Sequence, residues 1–359
     1  MTHPVVRVSE LEKRFPVQKS VFRKATDFVH ALDGISFDIP PGGSLGLVGE
    51  SGCGKTTTGR ILLKLLESTG GQVLIEKDGE PVDITAITAK DDLKDFRSRA
   101  QMIFQDPFES MNPRRTIYDT ISEPLTVQNI GSVAEREVRV AELLQLVGLT
   151  PPESFIFRYP HELSGGQRQR VAIARALVVD PTFVVADEPT SMLDVSIRIS
   201  IMDLMLKLGQ DLNVSYLYIT HDLAVARYMC DRIAVMYLGK IVELAPTEEL
   251  LANPRHPYTK ALISAVPVPD PTIERPPVEI KGGISRSINP QARCRFYDRC
   301  PFAREDPCNT NDHPPLDQVG EDHWAACYLV EEIASGAAVA DTGDDRSPEP
   351  ANSRDRSRT

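Results

Sequence analysis

The sequence predicts an α/β protein with a mostly parallel sheet and an inserted helical subdomain. Four short apolar runs indicate strands, at residues 44–48, 183–186, 215–219 and 233–237. Segments with apolar residues at helical spacing separate them, the first at 56–66, and strands that alternate with helices are typical of a parallel sheet. Residues from about 106 to 177 have a mostly helical pattern, clearest at 134–147, and predict the inserted subdomain. Nearer the N-terminus, alternating apolar and polar residues at 6–9 and 35–39 predict two half-buried strands.

Composition bounds the class of protein. The chain has 359 residues, 41% of them hydrophobic and 25% charged, which is ordinary for a globular protein. Its length predicts two or three folded units. The formal net charge of -11 argues against a protein that binds nucleic acid, because such proteins usually carry a basic surface.

Neither a signal peptide nor a membrane-spanning segment is predicted. The apolar runs are far shorter than the roughly 20 residues that a spanning helix needs. Residues 1–14 mix charges of both signs without the apolar core of a signal peptide. We therefore expect a protein that stays in the cytoplasm and reaches a membrane only through partners.

Changes in composition divide the chain into three parts. Residues 1–245 contain the strands and helices described above. Prolines crowd residues 254–277 and four cysteines follow, so residues 246–330 are interpreted as an extension that begins with a short helix and a linker. Residues 331–359 are small, polar and charged, and we expect a disordered tail there.

A glycine-rich loop directly follows the strand at 44–48. Residues 49–56 read Gly-Glu-Ser-Gly-Cys-Gly-Lys-Thr and match the P-loop pattern, whose backbone N–H groups cradle phosphates at a helix N-terminus. Lys55 is predicted to reach the β- and γ-phosphates, and the hydroxyl of Thr56 to ligate Mg²⁺. A chance glycine turn is disfavoured by the strand before the loop and the helix after it. The predicted nucleotide contacts in this loop are Gly49, Glu50, Ser51, Gly52, Cys53, Gly54, Lys55, Thr56 and Thr57.

Two adjacent carboxylates follow the apolar strand at 183–186. Asp187 is predicted to hold the Mg²⁺ shell, and Glu188 points elsewhere and can polarise the attacking water. Adjacent acids at a strand end can also form a solvated edge of the sheet. A P-loop upstream favours the catalytic interpretation.

A second phosphate-binding turn lies at residues 163–170, which read Leu-Ser-Gly-Gly-Gln-Arg-Gln-Arg. A serine and two glycines that open a helix form an anion site at the helix N-terminus. A chain with one P-loop and one such turn can complete its site by pairing head to tail with another subunit. The stretch resembles the Leu-Ser-Gly-Gly-Gln signature of the ABC ATPase family, and the resemblance covers about residues 5–251.

The resemblance implies an ATPase that uses ATP and Mg²⁺ and pairs with a second ABC ATPase subunit, identical or homologous. Gln105 resembles the Q-loop glutamine, a ligand of the catalytic and Mg²⁺ site, and His221 resembles the switch histidine that contacts the γ-phosphate. Asp194 ends a stretch that resembles the D-loop, with Met192 where alanine is more usual. Phe15 occupies the place of the aromatic residue that stacks on adenine. The implied catalytic residues are Glu188, His221 and Gln105, and the implied further nucleotide contacts are Phe15, Ser164, Gly165, Gly166, Gln167 and Asp194.

Two stretches near the C-terminus resemble the extension of ATPases from oligopeptide, dipeptide and nickel importers. They are Asn-Pro-Arg-His-Pro-Tyr-Thr-Lys-Ala-Leu at 253–262 and Cys-Arg-Phe-Tyr-Asp-Arg-Cys-Pro-Phe-Ala at 294–303. This resemblance implies the motor of a peptide importer, held at the cytoplasmic face of the membrane by two permease subunits that residues 105–112 contact. It also implies an extracytoplasmic substrate-binding protein and no nucleic acid among the partners. The alternatives are an importer of nickel, opines or oligosaccharides, a soluble ABC ATPase acting on nucleic acid or ribosomes, and a module with an inactive site.

Four cysteines cluster in the extension, whereas Cys53 and Cys230 stand apart. In a cytosolic chain such a cluster predicts a metal site before it predicts disulfides. The spacings are wider than the Cys-x₂-Cys pairs of common zinc modules, and Cys300 precedes a proline as some ferredoxin ligands do. We expect a structural [4Fe–4S] cluster that takes no part in ATP hydrolysis, with zinc as the fallback and four plain core cysteines as the remaining alternative. The expected ligands are Cys294, Cys300, Cys308 and Cys327.

Overall fold

The computed structural model describes residues 3–17, 26–266, 280–283, 287–338 and 340. Most of the predicted linker (267–279) and of the predicted tail (341–359) lies outside these residues. The predicted tail begins within a short helix, so the folded part of the extension reaches further than the sequence indicated.

Strands and helices alternate through most of the described chain. The strands are β1 (Val6–Pro16), β2 (Phe28–Ile39), β3 (Ser44–Val48), β4 (Gly70–Lys77), β5 (Glu80–Asp83), β6 (Ala100–Ile103), β7 (Phe183–Asp187), β8 (Ser215–Thr220), β9 (Arg232–Tyr237), β10 (Lys240–Pro246), β11 (Asp317–Gly320) and β12 (His323–Ala325). The helices are α1 (Lys55–Leu62), α2 (Lys90–Arg99), α3 (Pro107–Ser110), α4 (Ile117–Gln128), α5 (Val133–Leu146), α6 (Gly165–Leu177), α7 (Val195–Asp211), α8 (Leu223–Met229), α9 (Thr247–Ala252), α10 (Pro257–Ser264) and α11 (Val330–Ala334).

The central sheet has eight strands in the order β11-β12-β10-β9-β3-β8-β7-β6. The five strands from β9 to the edge strand β6 are parallel, and β7 and β8 are fully buried, as expected when helices cover both faces. All four apolar runs predicted as strands lie in this parallel part. The predicted fold class is therefore confirmed, and the carboxyl ends of the parallel strands meet at one edge.

A second sheet of four antiparallel strands, in the order β2-β1-β4-β5, packs beside the central sheet. The hairpin of β4 and β5 was not predicted. It lies just after α1, which ends at Leu62 rather than continuing to residue 66 as its apolar spacing indicated. The chain reverses there because Lys64 adopts a positive φ of 51°, which an α-helix cannot contain.

The helical subdomain consists of α3 to α6, which share one apolar core with α7. Helix α5 covers the helix predicted at 134–147 and begins with a capping box, in which Ser132 and Glu135 satisfy each other's backbone N–H groups. Helices α4, α5 and α6 contact one another, and Ile121, Leu143 and Val171 are fully buried at their contacts. The subdomain is thus packed firmly against the sheet that carries the P-loop.

The C-terminal extension is part of the main fold rather than an appendage. Strand β12 pairs with β10, Glu243 opposite Ala325, and β11 extends the sheet by one more strand. Glu243 is fully buried and accepts hydrogen bonds from the backbone N–H groups of Arg255 and His256 and contacts His323 Nε2 at 2.8 Å. One buried carboxylate of β10 therefore ties two segments of the extension to the central sheet.

Candidate functional site

The P-loop connects β3 to α1 and depends on its glycines for shape. Gly54 has a φ of +117°, and a Cβ there would lie 2.4 Å from the carbonyl oxygen of Ala31. A Cβ on Gly49 would lie 2.1 Å from the carbonyl oxygen of Met236. These approaches exclude any side chain. The loop therefore curls tightly against β2 and β9, with its backbone available to phosphates.

Lys55 is buried at the first position of α1, with 6% of its surface exposed. Its ammonium donates hydrogen bonds to the carbonyl oxygens of Gly49 at 2.7 Å and Glu50 at 3.0 Å. The loop's own backbone thus holds the lysine charge inside the cradle. An incoming triphosphate would find that positive charge already in place.

Thr56 and Asp187 face each other across the base of the site. The Thr56 hydroxyl donates to Asp187 Oδ1 at 3.3 Å, and Asp187 is 7% exposed. Burial raises the pKa of Asp187, and the Thr56 hydrogen bond opposes that shift. A hydroxyl and a carboxylate in this arrangement are the hard oxygen donors that Mg²⁺ prefers, so these residues fit a Mg²⁺ site.

Glu188 joins the ends of three parallel strands. Its backbone adopts a positive φ of 46°, in the left-handed region. Glu188 Oε2 accepts a hydrogen bond from Gln105 Nε2 at 3.0 Å, and Oε1 lies 2.8 Å from His221 Nδ1. Gln105 follows β6, Glu188 follows β7 and His221 follows β8, so the sheet itself assembles the group.

A cavity of about 720 Å³ contains this group and the P-loop. It is lined by most of the residues predicted from the sequence, namely Glu50, Ser51, Gly52, Cys53, Gly54, Lys55, Thr56, Thr57, Gln105, Asp187, Glu188 and His221. The sequence did not predict six further lining residues, Val29, His30, Ala31, Tyr237, Leu238 and Ser287. Tyr237 and Leu238 could have been found, because they end the parallel strand next to β3.

Ser287 comes from the extension, and no local signal indicated it. It is 9% exposed, and its hydroxyl has no hydrogen-bond partner among the described residues. Its carbonyl accepts a hydrogen bond from the backbone N–H of His30 at 2.8 Å, which docks this segment of the extension onto β2. The extension therefore forms part of the cavity wall.

Phe15, the predicted adenine contact, does not line the cavity. It lies in β1, where Lys13 Nζ is 5.1 Å from its ring centre. Its antiparallel neighbour Val29 lines the cavity instead. Stacking of Phe15 on a base stays a prediction.

The phosphate-binding turn predicted at residues 163–170, called the signature turn below, lies apart from the cavity. Ser164 caps α6, where its hydroxyl accepts from the N–H of Gln167 at 3.3 Å, and both Ser164 and Gly165 are exposed. Asp194 precedes α7 and is exposed as well. A Cβ on Gly166 would lie 2.7 Å from Ile197 Cγ2, so this glycine is also required for packing. Ser164, Gly165, Gly166, Gln167 and Asp194 do not line the cavity of their own chain.

The four cysteines of the extension line one small cavity of about 20 Å³. Burial raises the pKa of Cys294 to about 11 and the pKa values of Cys300 and Cys327 to about 12, and the neighbouring cysteines contribute in the same direction. Over the residues that the structure describes, no group of three or more His, Cys, Asp or Glu is placed to hold a metal ion. The structure thus brings Cys294, Cys300, Cys308 and Cys327 together without forming a ready single-ion site.

Within the described ranges, no helix is both long and apolar enough to cross a membrane.

Comparisons with known proteins agree with this arrangement. A model described as "ABC transporter" matches residues 32–191, and one described as "Oligopeptide/dipeptide transporter, C-terminal region" matches residues 242–308. The oligopeptide transport ATP-binding protein AppF of Bacillus subtilis is 43% identical over 90% of this chain and 97% of its own length. The oligopeptide transport ATP-binding protein OppF of the same organism is 49% identical over 77% of this chain and 86% of its own length.

Solved structures show the same fold. The ATP-binding cassette MJ0796, in a dimeric post-hydrolysis state bound to ADP and Pi, superposes with a TM-score of 0.58 at 30% identity. The match covers 67% of this chain and 98% of that one. The cassette cbiO1 from Clostridium perfringens, part of the transporter complex cbiONQ, matches with a TM-score of 0.58 at 27% identity over 70% of this chain and 91% of its own. The chain therefore belongs to the ABC transporter ATPases, in the oligopeptide/dipeptide transporter family.

Proposed function

We propose that the chain is the ATP-hydrolysing motor subunit of an ABC importer for peptides. One observation carries the catalytic part of this proposal: Glu188, between Gln105 and His221, stands beside the Thr56 and Asp187 pair in the P-loop cavity. A general base, a metal-binding pair and a phosphate cradle in one cavity are the parts that phosphoryl transfer to water needs.

The residues divide the reaction among them. The P-loop backbone and Lys55 bind the phosphates, and Thr56 and Asp187 would hold Mg²⁺, which neutralises phosphate charge when bound. A water oxygen attacks the γ-phosphorus, Glu188 takes a proton from that water, and the bond to the bridging oxygen breaks to release ADP and phosphate. Gln105 and His221 keep the Glu188 carboxylate oriented through the hydrogen bonds described above. Further contact of Gln105 with Mg²⁺, and of His221 with the γ-phosphate, is part of this proposal.

The exposed signature turn indicates that the site is completed by a second ATPase subunit. Ser164 presents the N-terminus of a 13-residue helix to the surface, away from the cavity of its own chain. Such a helix start binds anions, so on a partner it can contact the γ-phosphate from the opposite side. Met192 and Val195, which flank Asp194, are 64% and 72% exposed and provide an apolar surface for that contact. The partner is either a second copy or a homologous subunit.

The cargo and the membrane partners are inferred from the relatives. AppF and OppF are named as oligopeptide transport proteins, and the extension of this chain matches the same family. Phe108 is 55% exposed within the segment 105–112, directly after the catalytic Gln105. We assign this segment to contact with two permease subunits, which hold the chain at the cytoplasmic face of the membrane and receive peptides from an extracytoplasmic binding protein.

Co-purification followed by ATPase assays tests this proposal. The tagged chain, expressed in its own organism, is expected to purify with two membrane proteins and to hydrolyse ATP faster when a peptide-loaded binding protein is added. Faster ATP hydrolysis with nickel, opines or oligosaccharides instead of peptides would show that the transporter carries that cargo and not peptides. If the chain instead purifies with ribosomes or nucleic acid and without a membrane partner, the proposal that it belongs to an importer would be wrong.

The four cysteines support a separate proposal, that they ligate a [4Fe–4S] cluster. The supporting observation is their convergence on one cavity beside Phe296 and His256. A four-iron cluster takes four thiolates, and the four cysteines that line the cavity would supply them. Protein purified without oxygen should be brown and contain about four irons per chain. Colourless, folded protein without iron would overturn this proposal, and zinc in that protein would reinstate the fallback.

A further inference from the structure

We propose that Arg299, in the cysteine-containing extension, is a positioning residue for the P-loop and acts through Glu50. The proposal rests on the ATPase function above and adds a contact that positions the phosphate-binding loop. Arg299 and Glu50 lie 249 positions apart, and no motif of the sequence connects them. The structure instead joins the extension to the second residue of the phosphate-binding loop.

The contact is a two-fold ion pair. Arg299 Nη1 donates to Glu50 Oε2 at 2.8 Å, and Nη2 donates to Glu50 Oε1 at 2.9 Å. The Arg299 side chain is 9% exposed and that of Glu50 is 23% exposed, so solvent screens the pair little. Two parallel bonds between a guanidinium and a carboxylate fix the direction as well as the distance.

The backbone of the same loop residue is held by the extension too. The hydroxyl of Tyr258 accepts a hydrogen bond from the N–H of Glu50 at 2.9 Å, and Tyr258 is fully buried in α10. The carbonyl of Glu50 accepts from Lys55 Nζ at 3.0 Å. Glu50 therefore stands between the extension and the lysine that binds phosphate.

The turn that carries Arg299 is built around the cysteines. The backbone N–H of Tyr297 donates to the carbonyl of Cys294, and that of Cys300 donates to the carbonyl of Tyr297. Phe296 in this turn packs edge-on against Tyr237, with ring centres 5.1 Å apart, and lines the cysteine cavity. A change in the packing around the thiols would thus move Arg299 relative to the P-loop. That a cluster on these cysteines takes no part in ATP hydrolysis stays a prediction, because the contact of Arg299 with Glu50 links the segment, and not a cluster, to the P-loop.

Electrostatics gives the contact a consequence for nucleotide binding. Glu50 lines the cavity that receives the triphosphate, and an unpaired carboxylate there would repel it. Arg299 neutralises that charge and keeps it turned toward the extension. Without Arg299, a partly buried carboxylate is left without its partner beside an anionic ligand.

The test measures the dissociation constant of a fluorescent ATP analogue on the full chain, together with thermal unfolding. Arg299→Gln is expected to weaken binding by about tenfold or more, equivalent to about 1.4 kcal/mol. The matched control is Arg304→Gln, which breaks the exposed pair with Glu332 in the same extension and should leave binding unchanged. The double variant Glu50→Gln with Arg299→Gln should bind within about threefold of Glu50→Gln alone, because no unpaired charge remains.

Two results would overturn the inference. One is equal binding by Arg299→Gln and Arg304→Gln. The other is a double variant in which the two losses of binding simply add, since that shows that Glu50 and Arg299 act on nucleotide binding independently. Failure of the proposed function is distinct, because there the wild-type chain itself would not bind the ATP analogue.

Discussion

Replacement of Glu188 by glutamine removes a charge while keeping the shape of the side chain. The two contacts of Glu188 can both survive, because an amide oxygen can accept from Gln105 while the amide nitrogen donates to His221 Nδ1 in the tautomer that carries its proton on Nε2. The P-loop, Lys55 and Asp187 are untouched. Nucleotide affinity should therefore stay within about threefold of wild type, which corresponds to a change in binding free energy of less than ~1 kcal/mol.

The loss of turnover follows from the chemistry that the carboxylate performs. An amide cannot take a proton from water, and a positioned general base contributes about 10²- to 10⁴-fold. At 1.36 kcal/mol for each tenfold step, the barrier should rise by about 2.7 to 5.5 kcal/mol. The side chain of Glu188 is only 16% exposed, so bulk water cannot readily substitute for it as a base.

Single-turnover hydrolysis in the assembled transporter measures this effect without interference from product release. Glu137→Gln, a change at an exposed position of α5, is the control for loss of a negative charge. Turnover by Glu188→Gln within about fivefold of wild type would refute the base assignment. Loss of nucleotide binding along with turnover would show instead that Glu188 shapes the site.

Three further predictions concern the signature turn, the packing of α1 and acid stability. Ser164→Arg should leave ATP binding to the isolated chain unchanged but lower turnover in the complex at least about tenfold. Ser132→Arg removes the same kind of cap from α5 and should not lower turnover. Equal turnover by both variants would argue against a site for the partner's phosphate at Ser164. Gly59→Ala places a Cβ 2.8 Å from Val185 Cγ1, so the free energy of unfolding measured in urea should fall by about 1–2 kcal/mol. An unchanged unfolding midpoint would show that the sheet shifts to accommodate the methyl group. Burial lowers the pKa of His313 to about 3, so only the unfolded chain takes up this proton as pH falls below about 6.5. Stability should therefore fall by about 2 kcal/mol between pH 8 and pH 5 on account of this residue. His313→Asn should flatten the profile by that amount, and an identical profile would contradict the shift.

Most of the lining of the P-loop cavity could be predicted from the sequence, because its parts are local and the sheet is parallel. The P-loop is identified by the type and spacing of its residues, and Asp187 and Glu188 directly follow the apolar run at 183–186. Once the strands are known to be parallel, their carboxyl ends must share one edge, which places Gln105 and His221 near Glu188. The structure agrees with each of these steps.

The parts that could not be predicted depend on contacts between distant segments. The sequence around Trp324 does not indicate that β12 pairs with β10. Strand β12 has only three residues, too few to show the alternation of apolar and polar residues that is typical of a strand. The ion pair of Arg299 with Glu50 needs the extension to fold back over the P-loop, which no local spacing encodes. The early end of α1 depends on the positive φ of Lys64, a conformation that its side chain does not favour.

We propose that ATP hydrolysis by this chain drives peptides across a membrane. Its most direct test is the uptake of a labelled peptide by sealed vesicles that contain the chain, its partner ATPase and the two permeases, with binding protein on the opposite side. Addition of ATP and Mg²⁺ on the side of the chain should cause peptide to accumulate, and complexes carrying Glu188→Gln should show none of this uptake. Accumulation that is the same without ATP, or the same in the Glu188→Gln complex, would show that hydrolysis by this chain does not drive peptide transport.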